Sequence, residues 1–385
     1  MQNRLPCDEF LNKQFFNMRR IVVKTALLVS VFIIGLSSHK SYCQLDDVGK
    51  LLTGGIADAQ KLADAYLSPF TNAFGATLNA GWYNTAKPHS VLGFDLTLSL
   101  NVAIIPDEAK FFYPRELGLT SDDLIIDGPL TSPTVAGATD VERPRLQYVE
   151  TVDGELVVRG EFTLPEGTGF GYLPAPTLQL GIGLPLGTDI IGRYVPRIGF
   201  EDAGNLGLWG IGIKHSLKQW IPVINRLPVL NLSVMAGYTS FYTKTDLDFI
   251  PDDIDAEDRT SNLVSWDNQK LDFSVGSFTA NIIASADIPF ITGYLGLGIN
   301  STNTNLKMTG WYPVPAVDEI TSQIEVTDDS ALLDPIDFKL GGNNGGVQPR
   351  ITAGFKLKLS VLHIHFDYTY SNYSIVTGGL GFSFR

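Results

Sequence analysis

The chain has 385 residues, with 28 Lys or Arg and 41 Asp or Glu, so its formal net charge is −13 at pH 7. This acidic balance excludes nucleic acid as a main partner, because the chain has no excess of basic residues to replace phosphate counterions. A hydrophobic content of 44% with only 18% charged residues also excludes wholesale disorder. The 38 Gly, 22 Phe and 14 Tyr residues are typical of a chain with many strands and turns.

Residues 1–43 have the parts of an export signal: a basic start, a short apolar stretch and a small-residue cleavage site. Residues 18–24 supply the basic charge, residues 25–36 are apolar, and residues 41–43 form the cleavage site. Residues 1–17 are explained by an upstream start codon. A lipoprotein signal that keeps Cys43 and a twin-arginine signal are the two alternatives. Because both cysteines lie before residue 44, we expect no disulfide, thiolate metal site or Cys nucleophile in the exported chain.

Residues 44–88 are predicted to form a helical segment ahead of the main domain. Apolar residues recur at steps of three and four between residues 48 and 66, and Pro69 is expected to end the helix. Such a helix could enter a cavity as a plug, or pack against its own domain or a partner. The candidate plug residues are Leu52, Ile56, Leu62, Tyr66 and Phe70.

From about residue 90 onward, apolar and polar residues alternate, as they do in β-strands. The alternation is strict over residues 92–102, and eleven strand residues span about 36 Å at 3.3 Å each. A tilted strand needs about 9–11 residues to cross a bilayer. We predict about 14 strands, at 74–84, 92–102, 145–150, 154–163, 176–186, 188–198, 205–215, 229–243, 270–284, 288–299, 304–312, 350–359, 362–371 and 376–384.

Short links alternate with long acidic loops near residues 104–144, 244–269 and 313–347, which is typical of outer-membrane barrels. A soluble sandwich would use the same alternation with its apolar face inward. The polar faces here carry Gly, Ser, Thr and Asn rather than dense Lys and Glu, and aromatic residues cluster near strand ends, which favours the membrane. We therefore predict an all-β fold, a transmembrane antiparallel β-barrel over residues 89–385 in the outer membrane of a Gram-negative bacterium.

Several segments carry a resemblance to known families. Residues 72–75 and 81–86, together with the terminal strands from Lys356 to Phe382, resemble the long-chain fatty-acid outer-membrane transporters. That resemblance implies an N-terminal hatch that plugs a 14-stranded barrel, although the Asn-Pro-Ala turn of that hatch corresponds to Asn84-Thr85-Ala86 here. More closely, the chain resembles an uncharacterised family of Gram-negative envelope proteins, in which residues 212–220 recur, and no function comes with that family.

Several polar residues within the strands are candidates to line the lumen. Lys356 and Lys358 could favour anionic solutes or pair with lumenal acids, and His363, His365 and Asp367 share one strand face. A metal site there would need a further ligand from a neighbouring strand, so a polar lining is the favoured interpretation. The candidate lumen-facing residues are Arg193, Arg350, Lys356, Lys358, His363, His365 and Asp367. We expect no catalytic residue, metal or cofactor.

Local patterns suggest two further chemistries. A barrel lipid hydrolase would use His215 with Ser216, or His363 with Ser360, but neither pair lies in a recognisable motif. The acidic run 252–258 has the charge to bind Ca²⁺ but lacks the glycine spacing of a loop site. Surface solvation explains that run equally well.

The predicted function is passive transport of small hydrophobic or amphiphilic molecules across the outer membrane. The alternative is a structural or adhesive envelope barrel with a filled lumen, and a lipid hydrolase is the third hypothesis. The expected partners are outer-membrane lipid, the barrel-assembly machinery and a small hydrophobic ligand. A lumen filled by charge pairs and large side chains would favour the structural hypothesis, whereas an apolar pocket beside residues 46–85 would favour transport.

Overall fold

A computed structural model describes residues 56–119, 124–152, 155–200, 204–246, 268–312 and 346–384, with four short stretches between 316 and 340. The leader, the candidate plug residue Leu52 and the acidic run 252–258 lie outside the described residues. The helices are α1 (Ile56–Leu78) and α2 (Pro222–Asn225). The strands are β1 (Phe94–Ile104), β2 (Phe111–Phe112), β3 (Leu124–Asp127), β4 (Ser132–Pro133), β5 (Arg145–Val152), β6 (Glu155–Thr163), β7 (Tyr172–Leu184), β8 (Thr188–Phe200), β9 (Gly204–Ser216), β10 (Leu230–Asp246), β11 (Lys270–Asp287), β12 (Ile291–Thr309), β13 (Trp311–Tyr312), β14 (Ala316–Val317), β15 (Ile324–Glu325), β16 (Leu332–Leu333), β17 (Ile336–Leu340), β18 (Gln348–Leu359), β19 (Leu362–Tyr370) and β20 (Ser374–Phe384).

Ten of these strands close into one antiparallel barrel. The order around the barrel is β1-β7-β8-β9-β10-β11-β12-β18-β19-β20, and each strand pairs with the next. Closure comes from the first and last strands, which pair along their whole length from Phe94 opposite Phe384 to Ile104 opposite Ser374. The strand β17 lies outside the ring and pairs with the far half of β12. Closure satisfies the backbone hydrogen bonds that an open sheet would leave at its edges.

The prediction of about 14 strands is wrong, because four of the candidates do not add a strand to the barrel. Residues 74–84 are the end of α1 and an extended stretch inside the barrel, and β5 and β6 belong to a small sheet in a loop. The candidates at 288–299 and 304–312 are one strand, β12, which pairs with β11 from Thr309 to Thr292. The predicted fold class, an all-β closed antiparallel barrel with a short N-terminal helix, is confirmed.

Each barrel strand turns its apolar face outward. In β1, Leu96 is exposed while its neighbours Thr97 and Ser99 are buried. Successive strand residues point to opposite faces, so the polar residues line the interior together. An apolar exterior around a polar interior is the reverse of a soluble sheet and is the pattern of a barrel in lipid.

The two ends of the barrel differ. At the short-turn end the connections are residues 185–187, 217–229, 288–290 and 360–361. The long-loop end has the long connections 105–171, 247–269 and 310–347, whose described parts include four small sheets, and the short links 201–203 and 371–373. No helix in the described part of the chain is long and apolar enough to cross a bilayer.

Candidate functional site

The chain's own residues 56–93 enter the barrel at one end and leave it at the other, and they are called here the lumenal segment. The early part of α1 lies at the long-loop end, where Tyr66 donates a hydrogen bond to the carbonyl of Glu166 at 2.8 Å. At the other end of the segment, the backbone N–H of His89 donates to Asp189 near the start of β8 at 2.9 Å. The first barrel strand then begins at Phe94. The segment therefore runs through the lumen from the long-loop end to the short-turn end.

The upper part of α1 is held by an apolar cluster. Leu62 and Tyr66 are buried there by side chains of the first long loop and of the strand extensions. The loop side chains Phe112, Leu146 and Phe162 belong to the same cluster. Burial of this kind stabilises by roughly 1.5–3 kcal/mol for each large side chain. The long-loop end is therefore closed by a small hydrophobic core between α1 and the loops.

Lower down, α1 packs directly against the barrel wall. The ring of Phe74 meets the edge of Phe241 with ring centroids 4.7 Å apart. Leu78 is buried with Leu208 and Val275. A Cβ on Gly75 would overlap the side chain of Thr302 on β12, so only glycine permits this close approach.

Two buried arginines of the barrel wall donate hydrogen bonds to the carbonyls at the end of α1. Arg193 on β8 donates to the carbonyls of Leu78 at 2.9 Å and of Ala80 at 2.7 Å. Arg350 on β18 donates to the carbonyl of Asn79. The last carbonyls of a helix have no partner within the helix and carry partial negative charge, so two cations there are favourable.

The rings of Trp82 and Tyr83 fill the middle of the lumen. The Arg193 guanidinium lies 3.7 Å from the Trp82 ring centroid, within cation–π range. A Cβ added to Gly212 or to Gly237 would come within 2.8 Å of the Trp82 ring. These strand glycines therefore leave room for the indole between β9 and β10.

Below these rings, residues 84–89 are bound by charge pairs. Asp189 accepts from His89 Nδ1 at 3.0 Å and pairs with Lys214 Nζ at 2.9 Å. Asp287 accepts a bond from the Thr85 hydroxyl at 3.2 Å and pairs with Lys358 at 3.3 Å. Each buried carboxylate thus has a cation and a contact with the lumenal segment, which offsets its desolvation.

The histidines of β19 lie in a third group. Lys356 Nζ donates to Asn84 at 3.0 Å and lies 3.7 Å from Asp95 Oδ2. His363 Nδ1 lies 3.6 Å from the same carboxylate oxygen, and its ring is 6.1 Å from that of His365. No group of three or more His, Cys, Asp or Glu side chains in the described part of the chain is arranged to hold a metal.

The structure places six of the seven candidate lumen residues inside the barrel as buried side chains: Arg193, Arg350, Lys356, His363, His365 and Asp367. Lys358 lies at the short-turn end and is partly exposed. Asp367 does not join the histidines, because it accepts a bond from the Tyr294 hydroxyl at 2.9 Å. Among the plug candidates, Leu62 and Tyr66 are buried, and Phe70 is 41% exposed.

Sequence analysis missed Asp95 and Asp189, which both pair with lumenal cations. Each is a charged residue in the polar register of a strand, and that signal could have identified them. Of the two candidate hydrolase pairs, His215 and Ser216 point to opposite faces, since Ser216 is buried on the inner face, whereas His215 bonds to Thr188 and Trp220. In the other pair, His363 is buried, whereas Ser360 is exposed in the turn between β18 and β19.

The described cavity beside α1 is small. It has a volume of about 40 Å³ and is lined by residues including Asn72, Ala76 and Thr302, so it holds roughly one water molecule. Cavities of about 530 and 450 Å³ are lined mainly by outward-facing residues of β10, β11 and β12. They are hollows in the apolar outer wall.

These features define a class, a ten-stranded antiparallel barrel whose lumen is filled by its own N-terminal segment. Residues 18–384 match the model of a family of unknown function (DUF6588), and the chain belongs to that family. No curated protein matches the sequence.

Similar solved structures are outer-membrane proteins. They include the outer membrane protease OmpT from Escherichia coli, at 8% identity and a TM-score of 0.29, covering 78% of this chain and 100% of that one. The attachment invasion locus protein Ail of Yersinia pestis has 11% identity and a TM-score of 0.21, with coverages of 76% and 99%. The translocator domain of the autotransporter NalP from Neisseria meningitidis has 11% identity and a TM-score of 0.26, with coverages of 76% and 87%. Structural similarity at these low TM-scores says nothing about activity. The link to fatty-acid transporters stays a prediction.

Proposed function

We propose that this protein is an outer-membrane barrel kept closed by its own N-terminal segment, and that it serves the envelope as a structural scaffold presenting its long loops. The observation that carries the proposal is the series of contacts between the lumenal segment and the rest of the chain. Tyr66 is bound at the long-loop end, the end of α1 is bound by Arg193, and His89 is bound at the short-turn end. Charge pairs and large rings fill the space that a solute would need. The proposal includes no catalytic step.

The orientation follows from loop length. Outer-membrane barrels have short periplasmic turns and longer extracellular loops. The short-turn end would then face the periplasm, and the long-loop end, with its small sheets and the start of α1, would face outward. Outer-membrane lipid and the barrel-assembly machinery are the partners that such placement requires.

Passage of small hydrophobic molecules is the second candidate, and one observation favours it. Residues 79–93 form neither helix nor strand, and below Tyr83 they are held by hydrogen bonds to the wall, such as those of Thr85 and His89. Their displacement would break no secondary structure and would open the lower half of the lumen. Transport would then require this displacement, because the described cavity beside α1 has a volume of only about 40 Å³.

Reconstitution into lipid separates the two candidates. A scaffold gives no stable conductance in a planar bilayer and does not speed the entry of a fluorescent fatty acid into liposomes. The variant Arg193→Ala/Arg350→Ala, which removes both contacts to the end of α1, should conduct in steps. Acceleration of fatty-acid entry by the unmodified protein would overturn the scaffold proposal in favour of transport.

A further inference from the structure

The connections at the short-turn end carry large apolar side chains with unusually high exposure. Leu92 is 80% exposed, Leu186 78%, and Phe290 79%. Trp220 and Val223, in the connection between β9 and β10, are 69% and 72% exposed. These five residues, called here the apolar rim, lie on four separate connections or strand approaches. Turns that faced only water would carry polar residues instead.

Two of the rim leucines are held in an unfavourable backbone conformation. Leu92 has φ 65° and Leu186 has φ 64°, in the left-handed region that Gly and Asn adopt easily. Leu186 and Gly187 both have positive φ, as the tight turn between β7 and β8 requires. Asn or Gly at position 186 would suit both the turn and water. A leucine at position 186 is therefore explained by contact of its side chain with an apolar surface outside the chain.

The charge at the short-turn end is opposite to that of the whole chain. The described charged side chains that reach its surface are basic: Lys87, Lys218, Arg226 and Lys358. The nearby acids Asp189 and Asp287 are buried or nearly so and are paired within the lumen. Lys87 and Arg226 are exposed, and neither side chain donates a hydrogen bond to another described residue. In a chain of net charge −13, a cationic end is a distinct feature.

The connection between β9 and β10 is an ordered platform for this end. Lys218 Nζ donates to the carbonyls of Leu227 at 2.8 Å and Leu230 at 2.7 Å. The indole N–H of Trp220 donates to His215 Nε2 at 3.2 Å, which fixes the ring at the edge of the wall. An amphipathic aromatic ring beside basic side chains is the composition of a membrane interface.

We propose that the short-turn end is a docking surface for anionic phospholipid headgroups, with the apolar rim inserted into the interface and Lys87 and Arg226 on the headgroup phosphates. The rim continues the apolar outer wall at Ile182, Ile190 and Ile291, so a lipid leaflet covers it without a break. Basic residues near an anionic leaflet are attracted within a Debye length. This inference rests on the membrane placement proposed above.

Depth measurement tests the rim. Because both cysteines lie in residues 1–43, single-cysteine variants of the exported chain can be spin-labelled at one site each. We compare Leu186→Cys with Leu297→Cys on the wall and with Leu130→Cys at the long-loop end, where Leu130 is 65% exposed. In liposomes the spin labels at residues 186 and 297 should both collide more often with oxygen, which dissolves in lipid, than with a water-soluble nickel chelate.

The controls separate two kinds of failure. In the first, the label at residue 297 is shielded from the chelate, but the label at residue 186 is as accessible to it as the label at residue 130. The rim then does not enter lipid, and the inference is overturned in favour of a protein partner. If 297 is also accessible to the chelate, the membrane placement itself fails.

Lipid composition tests the headgroup contact. Wild-type protein should unfold at a temperature a few degrees higher in vesicles containing phosphatidylglycerol than in phosphatidylcholine alone. Lys87→Glu/Arg226→Glu should lose this shift. The matched reversal Lys307→Glu/Lys339→Glu, at the long-loop end, should keep it. An equal response of the two reversals, or no dependence of the wild type on phosphatidylglycerol, would overturn the proposal.

Discussion

At the scale of single residues, the lumen depends on glycines that lie within strands rather than in turns. Gly212 and Gly237 come from neighbouring strands and leave the space in which the Trp82 ring lies. The Arg193 guanidinium lies over the same ring. The indole is therefore confined and has no room to yield to an added methyl group.

Gly237→Ala is expected to destabilise the folded protein by about 1–3 kcal/mol through overpacking against Trp82. Gly293→Ala is the matched control, because a Cβ there meets nothing within 4 Å. Urea titration in detergent micelles, followed by the shift of the folded band on a gel, measures both. Equal midpoints for the two variants would contradict the tight fit around the indole.

The carbonyls at the end of α1 give a second residue-scale prediction. Arg193→Met keeps much of the side-chain length but leaves the carbonyls of Leu78 and Ala80 without this donor, so we expect a loss of about 2 kcal/mol in the free energy of unfolding. Arg193→Lys keeps the positive charge but not the planar guanidinium that donates to two carbonyls, so its free energy of unfolding should fall by less. The same urea titration ranks the three proteins. A methionine variant as stable as the wild type would show that these bonds contribute nothing.

The sequence predicts which face of a strand a residue lies on, but it does not predict the residue's hydrogen-bond partner. Alternation alone predicts that Arg193 and Arg350 share the polar face of their strands. Both also donate to main-chain carbonyls 113 to 271 residues away. No local pattern encodes such a contact, because it depends on how the lumenal segment enters the closed barrel.

At the scale of elements, α1 continues past the residue that was expected to end it. Pro69 lies inside the helix, which runs on to Leu78. Proline removes one hydrogen bond and normally kinks or ends a helix. Here the apolar cluster above Pro69 and the wall contacts of Phe74 and Leu78 below it hold both halves in line. Tertiary contacts override a local stop signal, and local sequence cannot show them.

The strand β12 shows the opposite difference, because the sequence predicts two strands, 288–299 and 304–312, where the structure has one through residue 309. Residues 300–305 are Asn, Ser or Thr, yet the ladder with β11 continues through them, with Thr302 opposite Ser277. The strand has 19 residues, about twice what a bilayer crossing needs. Its far half pairs with β17, outside the ring. Polar residues are acceptable in this far half because it extends beyond the length that crosses a bilayer. Their sequence pattern resembles that of a loop.

The contact between α1 and β12 can be tested with a double-mutant cycle. Gly75→Ala should favour the isolated helix by nearly 1 kcal/mol, yet it should destabilise the protein because the new methyl group meets Thr302. Thr302→Ala removes two of the three crowded atoms, so Gly75→Ala should cost less in that background. We expect a coupling of about 1 kcal/mol in urea titrations. Strict additivity would mean that α1 does not lie against β12.

At the scale of the whole molecule, the sequence predicts a barrel but not its size. Outward apolar faces repeat along the chain and can be seen without a structure. The hairpin of β5 and β6 alternates in the same way, although it belongs to a loop sheet. Strand number depends on which hairpins join the ring, and this is set by closure between β1 and β20. Filling of the lumen is likewise a property of the closed barrel.

The path of the lumenal segment also places parts of the chain at opposite ends of the barrel. The start of α1 and the long loops are at one end, and the connection that contains α2 is at the other. With the orientation proposed above, protease added to intact cells should remove an epitope inserted immediately before Ile56. An epitope between Asn225 and Arg226 should be lost only after the outer membrane is permeabilised. Loss of the second epitope alone would mean that the barrel is inserted with its short-turn end outward. Protection of the first epitope while the long loops are cleaved would mean that α1 does not reach the outer face, and the closed lumen described here would not be the state in the cell.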